Sequence, residues 1–115
     1  MPDPTSLQPE PTTLQVETSS VNGHFVIVLR GDVDMSTAPL FDAVATQGMS
    51  EGAHTVEIDA TDLGFIDSTG LSVIAVLIRR LRPSGNRLAI RNCPALLVKL
   101  LEITALREHV NVIDS

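Results

Sequence analysis

Strand-like and helix-like runs alternate along this chain, and that alternation limits the fold more than any other feature. Leu14 and Val16 alternate with Gln15 and Glu17. After Ser20-Val21 comes Asn22-Gly23, the dipeptide that best tolerates the positive φ angles of a tight hairpin turn. The second arm, His24-Phe25-Val26-Ile27-Val28-Leu29-Arg30, is nearly continuous in apolar and β-branched residues, which predicts a central strand covered on both faces. Gly31-Asp32-Val33-Asp34 leaves the strand. Ser36-Thr37 then offers a cap and Pro39 a first-turn proline for a helix carrying Leu40, Phe41 and Val44 inward and ending at Gly48. His54 to Asp59 alternates again, and Leu63 and Phe65-Ile66 lead into Asp67-Ser68-Thr69-Gly70, where a second helix begins with Asp67 or Ser68 as its N-cap. Leu71, Ile74, Leu77, Ile78 and Leu81 keep helical spacing, and Arg79, Arg80 and Arg82 favour the helix C-terminus. Pro83-Ser84-Gly85 stops that helix. A short strand from Arg87 to Arg91 precedes Asn92-Cys93-Pro94 and a third helix with Leu96, Leu97, Leu100, Leu101 and Ile103, and His109 to Ile113 reads as a final strand.

Strands separated by helices run mostly parallel with right-handed crossovers, while the hairpin adds an antiparallel edge. The expected class is α/β: a mixed sheet of about five strands with three to four helices, in one domain over residues 13–115. Residues 1–12 hold Pro2, Pro4, Pro9 and Pro11 among polar residues and are expected to form a disordered tail. A chain of 115 residues suits one compact domain, so that domain carries the whole function.

Fourteen acidic against eight basic side chains give a net charge of -6, which works against binding the nucleic-acid backbone. The single cysteine, Cys93, forms no internal disulfide and no zinc site, which suits a reducing cytoplasm. The start of the chain lacks the positive and apolar regions of a signal peptide, and the apolar run Leu71 to Ile78 is far below the roughly 18 to 20 residues of a membrane span. The expectation is a cytoplasmic protein without membrane contact, metal or cofactor.

In open α/β sheets the usable surface lies beyond the C-terminal ends of the strands. The segments 31–37 and 59–70 bring Asp32, Asp34, Asp59, Asp62, Asp67, Ser68 and Thr69 toward that rim. Helix capping accounts for most of these taken singly, Ser36 and Thr37 included. Ser68 differs because Gly70 stands in the first helical turn, where glycine costs about 1 kcal/mol relative to alanine. A missing side chain there either lets a partner approach Ser68 closely or fits a tight junction. Ser68 is not a hydrolase nucleophile: the glycine required two residues before it is Ile66, and His24, His54 and His109 open strands at the opposite end. Asp32 and Asp34 could hold Mg²⁺ in a small phosphotransfer enzyme, but the sole lysine, Lys99, lies in a helix, and no phosphate-cradling motif is present.

Two motifs carry a resemblance that spans roughly residues 13–115. Gly31-Asp32-Val33-Asp34 resembles the G-(E/D)-hydrophobic-D turn, and Phe65-Ile66-Asp67-Ser68-Thr69-Gly70-Leu71 the F-(I/M)-D-S-(S/T)-G-L signature, of STAS-domain anti-sigma factor antagonists (anti-anti-sigma factors). The resemblance implies a protein that is no enzyme and is itself phosphorylated on Ser68 by an anti-sigma factor serine kinase. Unphosphorylated protein would bind that kinase and free a sigma factor, and a PP2C-type phosphatase would reverse the modification. Asp34, Asp67, Ser68, Thr69 and Gly70 would form the partner-binding surface of a monomer or weak dimer. An alternative within the fold is the STAS subunit of a lipid-transport ABC system.

Overall fold

The computed structural model describes residues 14–114, so the tail expected over residues 1–12 lies outside the described residues. Strands β1 (Gln15–Val21) and β2 (His24–Val33) form the expected hairpin, with Asn22 at φ 52° and Gly23 at φ 82° in its two-residue turn. Helix α1 (Ala38–Ser50), β3 (Thr55–Ile66), α2 (Ser68–Leu81), β4 (Leu88–Arg91), α3 (Ala95–Ile103) and β5 (Val110–Ile113) follow in alternation. The sheet order is β1-β2-β3-β4-β5, with β1 antiparallel to β2 and every other pair parallel. Each crossover steps to the next strand in the same direction, so right-handed connections put all three helices on one face.

That face holds the core. Phe25, Ile27 and Leu29 of β2, Val56, Ile58 and Ala60 of β3, and Leu88 and Ile90 of β4 alternate inward against Phe41, Ile74, Leu77, Leu97 and Leu101. Every residue expected on the inner stripe of α2 is buried. Among the described residues no helix is long and apolar enough to cross a membrane.

The other face corrects the reading of β2. Val26 and Val28 are only half-buried, and β3, not β2, stands third of five. A parallel sheet covered by helices on one side needs only every second residue to be apolar. The remaining outer positions carry ion pairs: Arg30 Nη1 lies 3.0 Å from Glu17 Oε1 and its Nε 3.6 Å from Asp62 Oδ2, and Arg91 Nε lies 2.7 Å from Glu57 Oε2.

Both strands at the site are longer than their sequence patterns suggest. β2 runs through Gly31-Asp32-Val33 and β3 through Ile66, with pairs Gly31–Leu63, Asp32–Phe65 and Val33–Ile66. Irregularities between Val28 and Arg30 and between Gly31 and Asp32 break the alternation by which a strand is recognised. Helix α1 also differs. Its inward residues are Ala38, Phe41, Ala45 and Gly48, whereas Leu40 is exposed and Val44 only packs against the core edge. Gly48 does not end the helix; a Cβ on it would stand 2.2 Å from the Phe25 ring, so glycine lets α1 lie close to the sheet. In α3, Leu97 and Leu101 are buried, while Leu96 and Ile103 face solvent.

Candidate functional site

The parallel strands β2 and β3 end side by side at Val33 and Ile66, and the two following helices start from that edge. Asp67 N–H donates to the Val33 carbonyl at 3.1 Å, which ties the start of α2 to the end of β2. Asp67 is the N-cap: its Oδ1 accepts from Thr69 N–H at 2.9 Å and Gly70 N–H at 3.4 Å. The Thr69 hydroxyl donates to the same oxygen. That hydroxyl contact, ahead of the two amides, holds the Asp67 carboxyl below the usual carboxylate range, and the charge of Asp34 opposes the shift.

Asp34 plays the matching part at α1. Its Oδ1 accepts from Ser36 Oγ at 2.7 Å, Ser36 N–H at 2.9 Å and Thr37 N–H at 3.1 Å. These bonds, the Ser36 hydroxyl first, lower its pKa. Ser36 and Thr37 are expected to cap α1, but Thr37 makes no side-chain cap bond; its hydroxyl donates to the Asp32 carbonyl at 2.8 Å. An aspartate two residues before a serine builds this turn as readily as a serine cap does.

Ser68 is the first residue of α2, is exposed, and has no hydrogen-bond partner for its hydroxyl among the described residues. Thr69, one residue on, is half-buried with its hydroxyl engaged. Two adjacent hydroxyls are thus distinguished: one is bound to the capping aspartate and the other is presented to solvent.

Gly70 is buried, and the space it leaves faces the sheet. A Cβ there would stand 2.6 Å from Val33 Cγ1 and 2.7 Å from Ile66 Cγ1. Of the two explanations for its missing side chain, the tight junction of helix on sheet fits the structure; the close approach runs toward Val33 and Ile66, not toward an incoming partner.

The rim is smaller than the sequence suggests. Asp34, Asp67, Ser68 and Thr69 come together, whereas Asp62 pairs with Arg30 on the outer side. Asp59 accepts from Thr61 Oγ1 at 2.6 Å and Thr61 N–H at 3.0 Å. His24, His54 and His109 lie at or just before the N-terminal ends of β2, β3 and β5, the end opposite Ser68. Lys99 is exposed on α3. The Cys93 thiol, half-buried, is pushed up to about 11 chiefly by burial and stays protonated at neutral pH. Among the described residues no group of three or more histidine, cysteine or carboxylate side chains could hold a metal ion.

A cleft of about 390 Å³ opens between α1 and α2 directly beside this site, lined by Met35, Pro39, Asp42, Thr69, Ser72 and Val76 among others. Residue order alone does not single it out. Its trace is the i, i+3, i+7 series Thr69, Ser72 and Val76, small residues on the shoulder of a helix whose core stripe is large and apolar.

The Asp67 cap has a measurable signature. A carboxyl lowered by native hydrogen bonds stabilises the fold above its unfolded pKa of about 3.9, and that contribution disappears as pH falls through the lower folded value. Asp67→Asn is expected to melt below wild type at pH 7, with the gap closing as the pH drops below about 4, followed by circular dichroism.

A mixed five-stranded sheet with helices on one face, presenting a free serine between two capping aspartates, defines a small α/β module with one distinctive polar edge. Residues 16–113 match the family model described as Mlab, STAS domain, and the chain belongs to the STAS domain family. It is 27% identical over 98 residues, 84% of this chain and 91% of the relative, to the anti-sigma-B factor antagonist of Staphylococcus epidermidis. Among solved structures, an anti-sigma factor antagonist from Mycobacterium paratuberculosis superposes with a TM-score of 0.75 at 20% identity, covering 90% of this chain and 88% of the other. The phosphorylated form of the Bacillus cell fate determinant SpoIIAA superposes at 0.72 and 22% identity, covering 90% and 91%.

Proposed function

We propose that this chain is an anti-sigma factor antagonist switched by phosphorylation of Ser68. Unphosphorylated protein binds an anti-sigma factor serine kinase and so releases a sigma factor; the kinase then phosphorylates Ser68 and binding ends. A PP2C-type phosphatase restores the active form. The chain performs no chemistry itself, works in the cytoplasm as a monomer or weak dimer, and contacts no nucleic acid directly. The observation that carries this reading is the exposed hydroxyl of Ser68 at the first residue of α2, unbonded among the described residues. The names of the Staphylococcus and Mycobacterium relatives point the same way. Asp34, Asp67 and Thr69 form the contact surface around Ser68, and Gly70 seats the helix that carries them.

Incubation with ATP and each purified anti-sigma kinase of the source cell is expected to add one phosphate, placed on Ser68 by mass spectrometry. A phosphate on Thr69, or none with any kinase, would defeat the mechanism. A second reading, the STAS subunit of a lipid-transport ABC system, has in its favour that the matching family model is described as Mlab and not as an antagonist. Co-purification with an ATPase subunit that persists in Ser68→Ala and Ser68→Asp would select it.

A further inference from the structure

The cleft between α1 and α2 has the make-up of a recognition site. Its floor is Ala38 and Val73, both buried, and its walls are Pro39 and the half-buried Val76. Met35 stands at it 77% exposed and extends the apolar lining of Pro39 and Val76 toward solvent. The cleft is lined from both helices, by Ala38, Pro39 and Asp42 of α1 and by Thr69, Ser72 and Val76 of α2. Its size falls in the range of about 300 to 1,000 Å³ typical of ligand sites, and it is apolar with a few polar groups.

The charge around it is one-sided. Asp42 is a lining residue, and Asp34 and Asp67 stand by the neighbouring helix starts, while among the described residues no lysine or arginine lines the cleft. The arginines of α2, Arg79 and Arg80, stand in its last turn. Thr69 belongs to both the cleft and the Ser68 site, so the two form one continuous surface.

We propose that this cleft receives one or two long apolar side chains from a helix of the kinase, flanked by a lysine or arginine that pairs with Asp42. The inference rests on the reading of Ser68 as the phosphoacceptor and names the docking surface that reading lacks. An amphipathic helix laid in an apolar groove is a recurring mode of recognition, and the acidic wall selects a basic flank. Docking in the cleft sets the reach and orientation of the partner toward a serine one residue away from its edge.

The test uses the full chain and the kinase that phosphorylates it, with binding measured by isothermal titration calorimetry. Ser72→Trp, which plugs the cleft from an exposed position, and Met35→Asp are each expected to weaken binding about thirtyfold. Asp42→Lys is expected to weaken it about tenfold and to reduce its salt dependence. Arg80→Ala, at the far end of α2, serves as control and is expected to bind like wild type, and all four variants are first matched to wild type by circular dichroism. If wild type binds and Ser72→Trp and Met35→Asp bind equally well, the cleft is not the docking surface, although the switch at Ser68 stands. If Asp42→Lys binds as tightly as wild type, the basic flank is wrong. If wild type binds no kinase, the functional reading fails and the docking proposal with it. If the plugged variant changes only self-association, measured by sedimentation, the occupant is a second copy and the partner assignment is overturned.

Discussion

Phosphorylated protein is expected to bind its kinase about a hundredfold more weakly than the unmodified form, a difference of about 2.7 kcal/mol. Its melting temperature should barely move. The added group carries about -1.5 to -2 charge. In the isolated chain it sits in solvent at a helix N-terminus, where negative charge is tolerated. Little is gained from that position, however, because Asp67 already accepts from the Thr69 and Gly70 amides that would otherwise cradle a phosphate. At an interface the balance reverses. The partner would have to bury a phosphate beside Asp34 and Asp67, and desolvation and like-charge repulsion act together. Ser68→Ala is expected to bind within twofold of wild type and Ser68→Asp to fall between wild type and phosphoprotein, all by calorimetry. Equal affinity of the phosphorylated and unmodified forms would remove the switch.

Gly70→Ala is expected to destabilise the fold by about 1 to 3 kcal/mol in urea titration, the range for overpacking a filled site. The sign is the informative part. In an exposed helical turn the same change would stabilise by up to about 1 kcal/mol, because alanine is the better helix former. Here the new methyl would stand 2.6 Å from Val33 Cγ1, a stiff β-branched side chain on the strand below. The helix must lift or tilt at its first turn, moving the Asp67 cap and Ser68 with it. Slower phosphorylation is therefore expected alongside lower stability. A neutral or stabilised Gly70→Ala would show that α2 is not seated as closely as the distances state.

The sequence made the element order, the hairpin turn and the inner stripe of α2 legible, because each has a strong local signal: Asn22-Gly23, and Leu71, Ile74, Leu77, Ile78 and Leu81 at helical spacing. It could not show that β2 and β3 stay paired as far as Val33 and Ile66, since irregular pairing erases the period of two. Nor did it show that Leu40 faces water. Leu40 and Phe41 are adjacent and lie about 100° apart around the helix; which of them faces the core depends on how α1 is rotated on the sheet, and here the buried stripe runs through Ala38, Phe41 and Ala45. At the site, the residue types around Ser68 were readable. Which hydroxyl is free was not, because that depends on a bond between Thr69 and Asp67 that residue order alone does not specify. The separation of Asp62 from the rim was also hidden, for its partner Arg30 becomes a neighbour only through the pairing of the strands.

The outer face of the sheet, which no helix of the described residues covers, offers a practical handle. Because the helices, the cleft and Ser68 all lie away from it, Ser19, an exposed residue of β1 on that side, could carry a fluorophore through a cysteine substitution with no obstruction of an incoming kinase. Cys93, half-buried and holding its proton, would compete poorly for the dye. The same asymmetry that gathers the helices on one face of the sheet turns the molecule into a ready-made reporter of its own capture and release.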